Sequence, residues 1–146
     1  EEMSAIHHPV MTIEAVQAFL ERDFPQAFGP GRPFAIEEIG DGFATLRFTP
    51  DISHMRPGGT VSGPTQFALA DVAAFVAIVS HIGPLALVVT SNMNINFLAK
   101  PEPAPILGRA HLLRLGKRNA VCEVSVTDLS GKALLAHATG TYSIPG

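Results

Sequence analysis

A single carboxylate, Asp71, stands inside an otherwise apolar run of the chain. It is the only Asp, Glu, Lys or Arg between Arg56 and Lys100, and the surrounding residues 64–79 are apolar on nearly every side. Such a run is typical of a buried helix. A carboxylate there costs free energy unless it is paired, hydrogen-bonded or protonated, so Asp71 is a candidate for chemistry.

The residues that precede this run, 56–64, are rich in glycine and end at Pro64. Proline is favoured in the first turn of a helix, where its missing N–H costs nothing. Backbone N–H groups at a helix N-terminus lack intrahelical partners and carry a partial positive charge. A carboxylate combined with a helix N-terminus indicates chemistry on a carbonyl group. The alternative is a structural Asp71, hydrogen-bonded to Thr90 or to the backbone.

Periodicity and turn signals predict the elements that position these residues. A short helix, 13–24, is capped by Thr12, and the long helix over 64–79 is ended by Gly83 and Pro84. Within the strand that follows, Asn92, Asn94 and Asn96 lie on one face and Met93, Ile95 and Phe97 on the other. Six strands are predicted, at 34–39, 43–49, 85–98, 106–115, 120–129 and 133–143.

This order of elements predicts an α+β fold with an antiparallel sheet and the long helix on one face. Because that helix is apolar all round, a curved sheet or a second subunit must cover the rest of it. A homodimer is therefore inferred. Residues 1–146 are expected to form one domain, with residues 1–11 as a loose N-terminal arm.

Composition excludes several classes of protein. The chain has 146 residues, 47% of them hydrophobic and 16% charged, and its net charge of −3 argues against a nucleic-acid binder. Cys122 is the only cysteine, which excludes an intramolecular disulfide and fits a reducing, cytoplasmic location. Neither a signal peptide nor a membrane span is expected. The six histidines show no metal-ligand spacing.

Three segments carry a resemblance to a known family: Gly-Thr-Val-Ser-Gly-Pro at 59–64, Phe-Ala-Leu-Ala-Asp at 67–71, and Thr-Ser-Asn-Met-Asn-Ile-Asn-Phe at 90–97. With them, nearly the whole chain resembles the hotdog-fold acyl-CoA thioesterases, in their phenylacetate-degradation (PaaI-like) branch. That family usually has Gly-x-x-His-Gly-Gly before the helix and an acid nine residues after the His. Here Ser62 replaces the His, Pro64 replaces the last Gly, and Arg56 stands where relatives often have Asn.

The resemblance implies a hotdog fold, with the antiparallel sheet wrapped around the long helix. It implies hydrolysis of an acyl-CoA to a free acid and CoA, with coenzyme A as part of the substrate and no metal or redox cofactor. Asp71 would act as general base or nucleophile, the Gly63 N–H as oxyanion donor, and Thr90 would orient the acid or the water. Asp71 would face Gly63 of a partner subunit, in a homodimer or homotetramer with shared active sites.

Further candidate residues lie around this motif. Those expected to bind substrate are Arg56, His54, Ser62, Gln66 and Phe67. Gln66 is placed to bind the substrate carbonyl or the acyl head group, whereas Ser62 has helix capping as its alternative role.

Basic residues provide a separate signal. Half of the ten Lys and Arg residues fall within 100–118, opposed there by Glu102 alone. Phosphates of coenzyme A would be received by such a patch, with Lys117, Arg118 and Arg114 as the candidates. The alternative is a solvated hairpin.

The acyl group is expected to be medium-chain or aromatic, because the long helix is mostly apolar and Phe67, Phe75 and Phe97 lie near the motif. Two other functions stay open. One is a non-catalytic module that binds acyl-CoA or lipid, suggested by the departures from the family motif. The other is a hydratase or dehydratase, which needs a His beside an acid, and no His is evident near Gly63.

Overall fold

The computed structural model describes residues 7–145. Two helices and eight strands follow one another along this part of the chain. In order they are α1 (Ile13–Asp23), β1 (Phe34–Gly40), β2 (Phe43–Phe48), β3 (Met55–Arg56), β4 (Thr60–Val61), α2 (Gly63–Ile82), β5 (Val89–Phe97), β6 (Ile106–Leu115), β7 (Asn119–Asp128) and β8 (Leu134–Ser143). A single 3₁₀ turn, Ile52–His54, precedes β3.

Six of the strands form one antiparallel sheet in the order β1-β2-β6-β7-β8-β5, and β3 pairs only with β4. The long helix α2 packs against one face of this sheet, mainly on β2, β6 and β7. The predicted α+β hotdog fold, an antiparallel sheet around a long central helix, is thereby confirmed. The last strand in the order, β5, forms one edge of the sheet.

Small residues bring α2 close to the sheet. A Cβ built on Gly108 of β6 would lie 2.9 Å from Cγ of Leu69, so only glycine fits beneath that part of the helix. The inner face of β7 is also compact and fully buried, with Ala120, Cys122, Val124 and Val126. Burial raises the pKa of the Cys122 thiol to about 12, so Cys122 stays a neutral thiol within the core.

Element boundaries differ from the prediction in three places. The strand predicted from residue 85 begins at Val89, because residues 85–88 form a turn closed by the Val88 N–H and the Leu85 carbonyl at 3.3 Å. The helix α2 begins at Gly63, one residue before its predicted start, and ends at Ile82, directly before the predicted stop at Gly83. The β3–β4 ladder was missed because strands of two residues show no alternation.

By length and composition, α2 could cross a membrane, although the sequence analysis expected no membrane span. Most of its surface is buried inside the fold. The same composition is what a core helix needs when a sheet wraps around it.

The segment before α1 is attached at its last residues. The N–H groups of Val10 and Met11 donate to the carbonyl of Ser80 near the end of α2, at 2.8 and 3.2 Å. Residues 1–6 of the expected arm lie outside the described residues.

Near the end of α2, His81 is buried and hydrogen-bonded on both sides of its ring. Nδ1 lies 2.7 Å from the carbonyl of Ala77, and Nε2 accepts the N–H of Gly42 at 3.0 Å. This arrangement requires a neutral ring with its proton on Nδ1. Desolvation is the main cause that lowers the pKa of His81, so the folded protein resists protonation there.

We expect His81 to make the protein less stable in mild acid. In the unfolded chain, His81 binds a proton near its ordinary pKa of about 6.5, whereas in the folded protein it does not. Protonation below that pH therefore favours the unfolded state, and the stability present above that pH is lost. The free energy of unfolding, measured with urea at about pH 7.5 and about pH 5.5, should fall more steeply in the wild type than in His81→Gln. Equal pH dependence in the two proteins would contradict this expectation.

Candidate active site

The carboxylate of Asp71 is held by two hydroxyl groups. Its Oδ1 accepts hydrogen bonds from Thr90 Oγ1 at 2.7 Å and from the Tyr142 hydroxyl at 2.6 Å. The same hydroxyl lies 3.2 Å from the backbone carbonyl oxygen of Asp71. Within residues 7–145, Oδ2 accepts no hydrogen bond. One carboxylate oxygen is therefore fixed and the other is available to react.

Strand pairing explains why both hydroxyls reach one oxygen. Thr90 of β5 and Tyr142 of β8 are direct cross-strand partners, and such partners have Cβ atoms about 5 Å apart on the same face. The register of β5 shifts between Thr90 and Asn92, which leaves Ser91 as a bulge. Because a bulge inverts the alternation, Thr90 points toward α2 although Asn92 points away.

Tyr142 is the site residue that the sequence analysis missed. Its side chain is 1% exposed, and burial, followed by the hydrogen bond to Asp71, raises the pKa of its hydroxyl. It therefore remains a proton donor to the carboxylate at neutral pH. The available signal was alternation along β8, which places Ala136, Ala138, Gly140 and Tyr142 on the inner face.

A largely apolar cavity of about 380 Å³ opens beside Asp71. Its aromatic wall comes from Phe19 and Phe24 at one end of α1 and from Phe75 of α2. The full lining is Phe19, Leu20, Asp23, Phe24, Asp71, Val72, Phe75, Ala86, Val88, Val89, Thr90 and Tyr142. This volume falls in the range of small-molecule sites, and the reactive carboxylate lies on its wall.

The N-terminus of α2 is built as the motif predicted. Ser62 is the N-cap, and its hydroxyl accepts the N–H of Thr65 at 3.2 Å. Gly63 is the first helical residue, so its N–H has no intrahelical acceptor. A Cβ built on Gly63 would lie 3.2 Å from the ring of Phe97, which brings this N-terminus against the far end of β5.

Asp71 and Gly63 do not meet within one chain. They are eight residues apart on α2, about 12 Å along the helix axis. Gly63 lines two other recesses and not the cavity beside Asp71. A single carbonyl therefore cannot contact both groups of the same protomer.

The other predicted substrate-binding residues surround Gly63. Arg56 and Gln66 line a recess of about 250 Å³ with Gly63 and Lys100, whereas Phe67 lies on a shallow apolar surface next to Phe97. The Gln66 side chain is buried, and its Nε2 donates to the Val61 carbonyl at 3.3 Å. Its Oε1 has no hydrogen-bond partner among the described residues.

His54 supports the loop and is not among the residues that line these cavities. Its Nδ1 accepts the Asp51 N–H at 2.9 Å, and its ring packs edge-on against Phe48 at 4.7 Å between centroids. Its carbonyl accepts the Ser62 N–H at 2.8 Å, which fixes the start of α2. Among the described residues, no group of three or more His, Cys, Asp or Glu is arranged to hold a metal ion.

The predicted basic residues are exposed around the β6–β7 hairpin. Lys117 and Arg118 lie in its turn, and Arg114 lies on β6. The first residues of β7 pair with the last of β8, where Ala120 is opposite Tyr142. The hairpin turn is therefore at the same end of the sheet as Asp71.

Comparison with known proteins agrees with the family resemblance found in the sequence. The family model described as "Thioesterase superfamily" matches residues 58–134, which include Gly63, Asp71 and Thr90. Among curated proteins, a candidate esterase of Thermoplasma acidophilum is 26% identical over 111 residues, or 76% of this chain and 83% of that protein.

Solved structures share this fold. The structure of a candidate thioesterase from Silicibacter sp. superimposes with a TM-score of 0.86 and 40% identity, and the match covers 96% of both chains. The Escherichia coli PaaI protein from the phenylacetic acid degradation operon has a TM-score of 0.68 and 23% identity, over 77% of this chain and 80% of that one. The likeness to PaaI is one of fold.

Proposed function

Because the chain belongs to the thioesterase superfamily and is a thioester hydrolase, we propose that it hydrolyses acyl-CoA thioesters with Asp71 as its general base. The observation that carries this proposal is the geometry of the Asp71 carboxylate. Its Oδ1 is held by two hydroxyls, its Oδ2 accepts no hydrogen bond within residues 7–145, and Asp71 lines an apolar cavity. A carboxylate placed in this way can take a proton from a water molecule that attacks the thioester carbon.

The negative charge that develops on the carbonyl oxygen needs a hydrogen-bond donor. The N–H of Gly63 meets this need, because it lacks an intrahelical acceptor and lies at the positive end of α2. Pro64, which follows it, has no N–H to add. One backbone donor of this kind lowers the barrier by about 3 kcal/mol.

A homodimer would bring Gly63 of one subunit to Asp71 of the other. What supports a dimer is the edge strand β5, whose backbone has no partner beyond β8 within residues 7–145. Large apolar side chains are exposed on and beside this edge: Leu87, Val89, Phe97 and Leu98. Unpaired, apolar edges of this kind favour pairing with another chain.

The positions of both groups along β5 favour a shared site. Asp71 contacts Thr90 near the start of the strand, and Gly63 contacts Phe97 at its end. If two copies of β5 pair antiparallel about Met93 at the strand's centre, Thr90 of one subunit lies opposite Asn96 of the partner subunit, next to that subunit's Phe97. Each Asp71 then approaches the N-terminus of the partner's α2. A two-fold dimer repeats this contact and contains two such sites.

The cavity beside Asp71 is proposed to bind the acyl group. Aromatic side chains form much of its lining, and its volume of about 380 Å³ suits a medium-chain or aromatic acyl group. The exposed Lys117 and Arg118 lie at the same end of the sheet. They are proposed to bind the phosphates of coenzyme A, at the point where the coenzyme A part of the substrate leaves the site.

The test is a thiol-release assay over acyl-CoA substrates that range from acetyl to medium-chain and aromatic groups. The proposal expects turnover that favours the larger groups. Binding of acyl-CoA without release of thiol would instead identify a non-catalytic binding module. The same assay, run on a protein depleted of metal with a chelator, should give an unchanged rate.

Filling the acyl cavity should restrict the enzyme to shorter acyl groups. Val72→Phe adds a ring to the cavity wall, and we expect kcat/KM for the larger acyl groups to fall at least about tenfold relative to acetyl-CoA, since a lost methylene site costs this much or more. The matched control is Val121→Phe, which makes the same change on β7, away from the cavity. A uniform loss across all acyl lengths would argue against this pocket.

A further inference from the structure

We propose that Tyr142 is a positioning residue for the reaction. Its hydroxyl fixes Oδ1 of Asp71 and thereby directs Oδ2 toward the attacking water. The inference rests on the proposed function, because it assigns Tyr142 a role that acts through the catalytic carboxylate. Tyr142 itself has no contact with the reacting atoms in this assignment.

The hydrogen-bond geometry carries the inference. The Tyr142 hydroxyl is 2.6 Å from Oδ1 and 3.2 Å from the main-chain oxygen of the same residue. It therefore ties the carboxylate to the helix backbone. Thr90 binds Oδ1 from the neighbouring strand at 2.7 Å. With two donors on one oxygen, rotation of the carboxylate would break both bonds, so the direction of Oδ2 is set.

The two donors are not equivalent. Thr90 lies on the exposed edge strand β5, whereas Tyr142 lies on β8, between β7 and β5, and is almost fully buried. A rigid, buried phenol has little rotamer freedom and holds its donor in one place. Tyr142 is accordingly the donor that sets the carboxylate, and Thr90 completes the arrangement from the exposed edge strand.

The surrounding strand leaves room for this ring. Gly140 lies two residues before Tyr142 on the same face of β8, and a Cβ there would lie 3.1 Å from Cε1 of Tyr142 and 2.8 Å from Cε of Met93. Glycine at this position therefore leaves the space that the Tyr142 ring and the end of the Met93 side chain occupy.

The decisive variant is Tyr142→Phe, which keeps the ring and removes only the donor. We expect kcat to fall about tenfold or more, because hydrogen bonds to a charged group are strong, while KM for the acyl-CoA changes less than about threefold. Thermal melting should confirm that the variant is folded. Wild-type kcat in Tyr142→Phe would overturn the inference.

The pH profile separates positioning from a general structural role. Hydrogen bonds to a carboxylate favour its charged form, so their loss should move the acid limb of the kcat/KM profile to higher pH. The ionisable groups facing this site are Asp71 on α2, Tyr142 on β8 and Asp23 on α1. An unmoved acid limb would indicate that Tyr142 only supports the fold.

A double-mutant cycle of Asp71→Asn and Tyr142→Phe distinguishes this inference from the proposed function. In an Asp71→Asn background, assayed at high enzyme concentration, Tyr142→Phe should change the residual rate less than about twofold, since its effect passes through the carboxylate. An equal loss in both backgrounds would overturn the positioning role. High activity in Asp71→Asn alone would instead reject Asp71 as the base, whatever Tyr142 does.

Discussion

Replacing Asp71 by Asn is expected to lower kcat for acyl-CoA hydrolysis by about 10²–10⁴-fold, the contribution typical of a positioned general base. The amide is nearly the same size as the carboxylate and can still accept the hydroxyls of Thr90 and Tyr142 through its oxygen. It cannot take a proton from water at neutral pH. KM should change far less than kcat, because Asn nearly matches Asp in size and preserves the shape of the acyl cavity.

A carboxylate elsewhere on the surface provides the control. Glu21→Gln makes the same change of carboxylate to amide on α1, where Glu21 is exposed and, among residues 7–145, bonds only Gln17, at 2.8 Å. This variant should keep wild-type kcat and KM. Thiol release under saturating acyl-CoA measures both variants, and circular dichroism confirms folding. If Asp71→Asn retains full activity, Asp71 is a structural acid and the mechanism is wrong.

Patterns with a strong local cause were predictable from the sequence. The apolar helix with its lone acid, the cap at Ser62 and the paired strands of β6, β7 and β8 each follow from residues within one short segment. Asn92, Asn94 and Asn96 are exposed, as the alternation of β5 indicated. The family resemblance added Thr90, which plain alternation would have placed on the outer face with these asparagines.

Features that depend on distant pairing could not be predicted. The bulge at Ser91 and the register that places Thr90 opposite Tyr142 exist only once β5 and β8 are adjacent. These two strands are separated in the sequence by β6 and β7, so no local pattern connects Tyr142 with Asp71. Likewise, the side-chain role of His54 in its loop depends on Phe48 and Asp51, which its own position did not reveal.

The second large effect concerns Gly63. Gly63→Pro removes the N–H proposed as oxyanion donor, and we expect kcat to fall about 10²–10³-fold. Proline suits the first helical position, and Ser62 before it has φ −68° and ψ 156°, the conformation that a following proline favours. The control is Gly63→Ala, which keeps the N–H and places the same Cβ against the ring of Phe97.

Combining the two defects tests whether the site is shared between subunits. Neither Asp71→Asn nor Gly63→Pro should be active as a homodimer. In a heterodimer with one chain of each kind, one site carries both defects, and the other combines an intact Asp71 with an intact Gly63 of the partner subunit. Co-expression with two affinity tags isolates this heterodimer, and its thiol-release rate should reach about half that of the wild type, one intact site of two.

Recovery in the heterodimer can only come from a site built by two chains. If Asp71 and Gly63 of one chain served the same carbonyl, every site in the mixed dimer would carry one defect, and its rate would stay near that of its parents. The separation of about 12 Å along α2 already disfavours that arrangement. A heterodimer as inactive as both parents would therefore refute the shared site and the β5 pairing from which it follows.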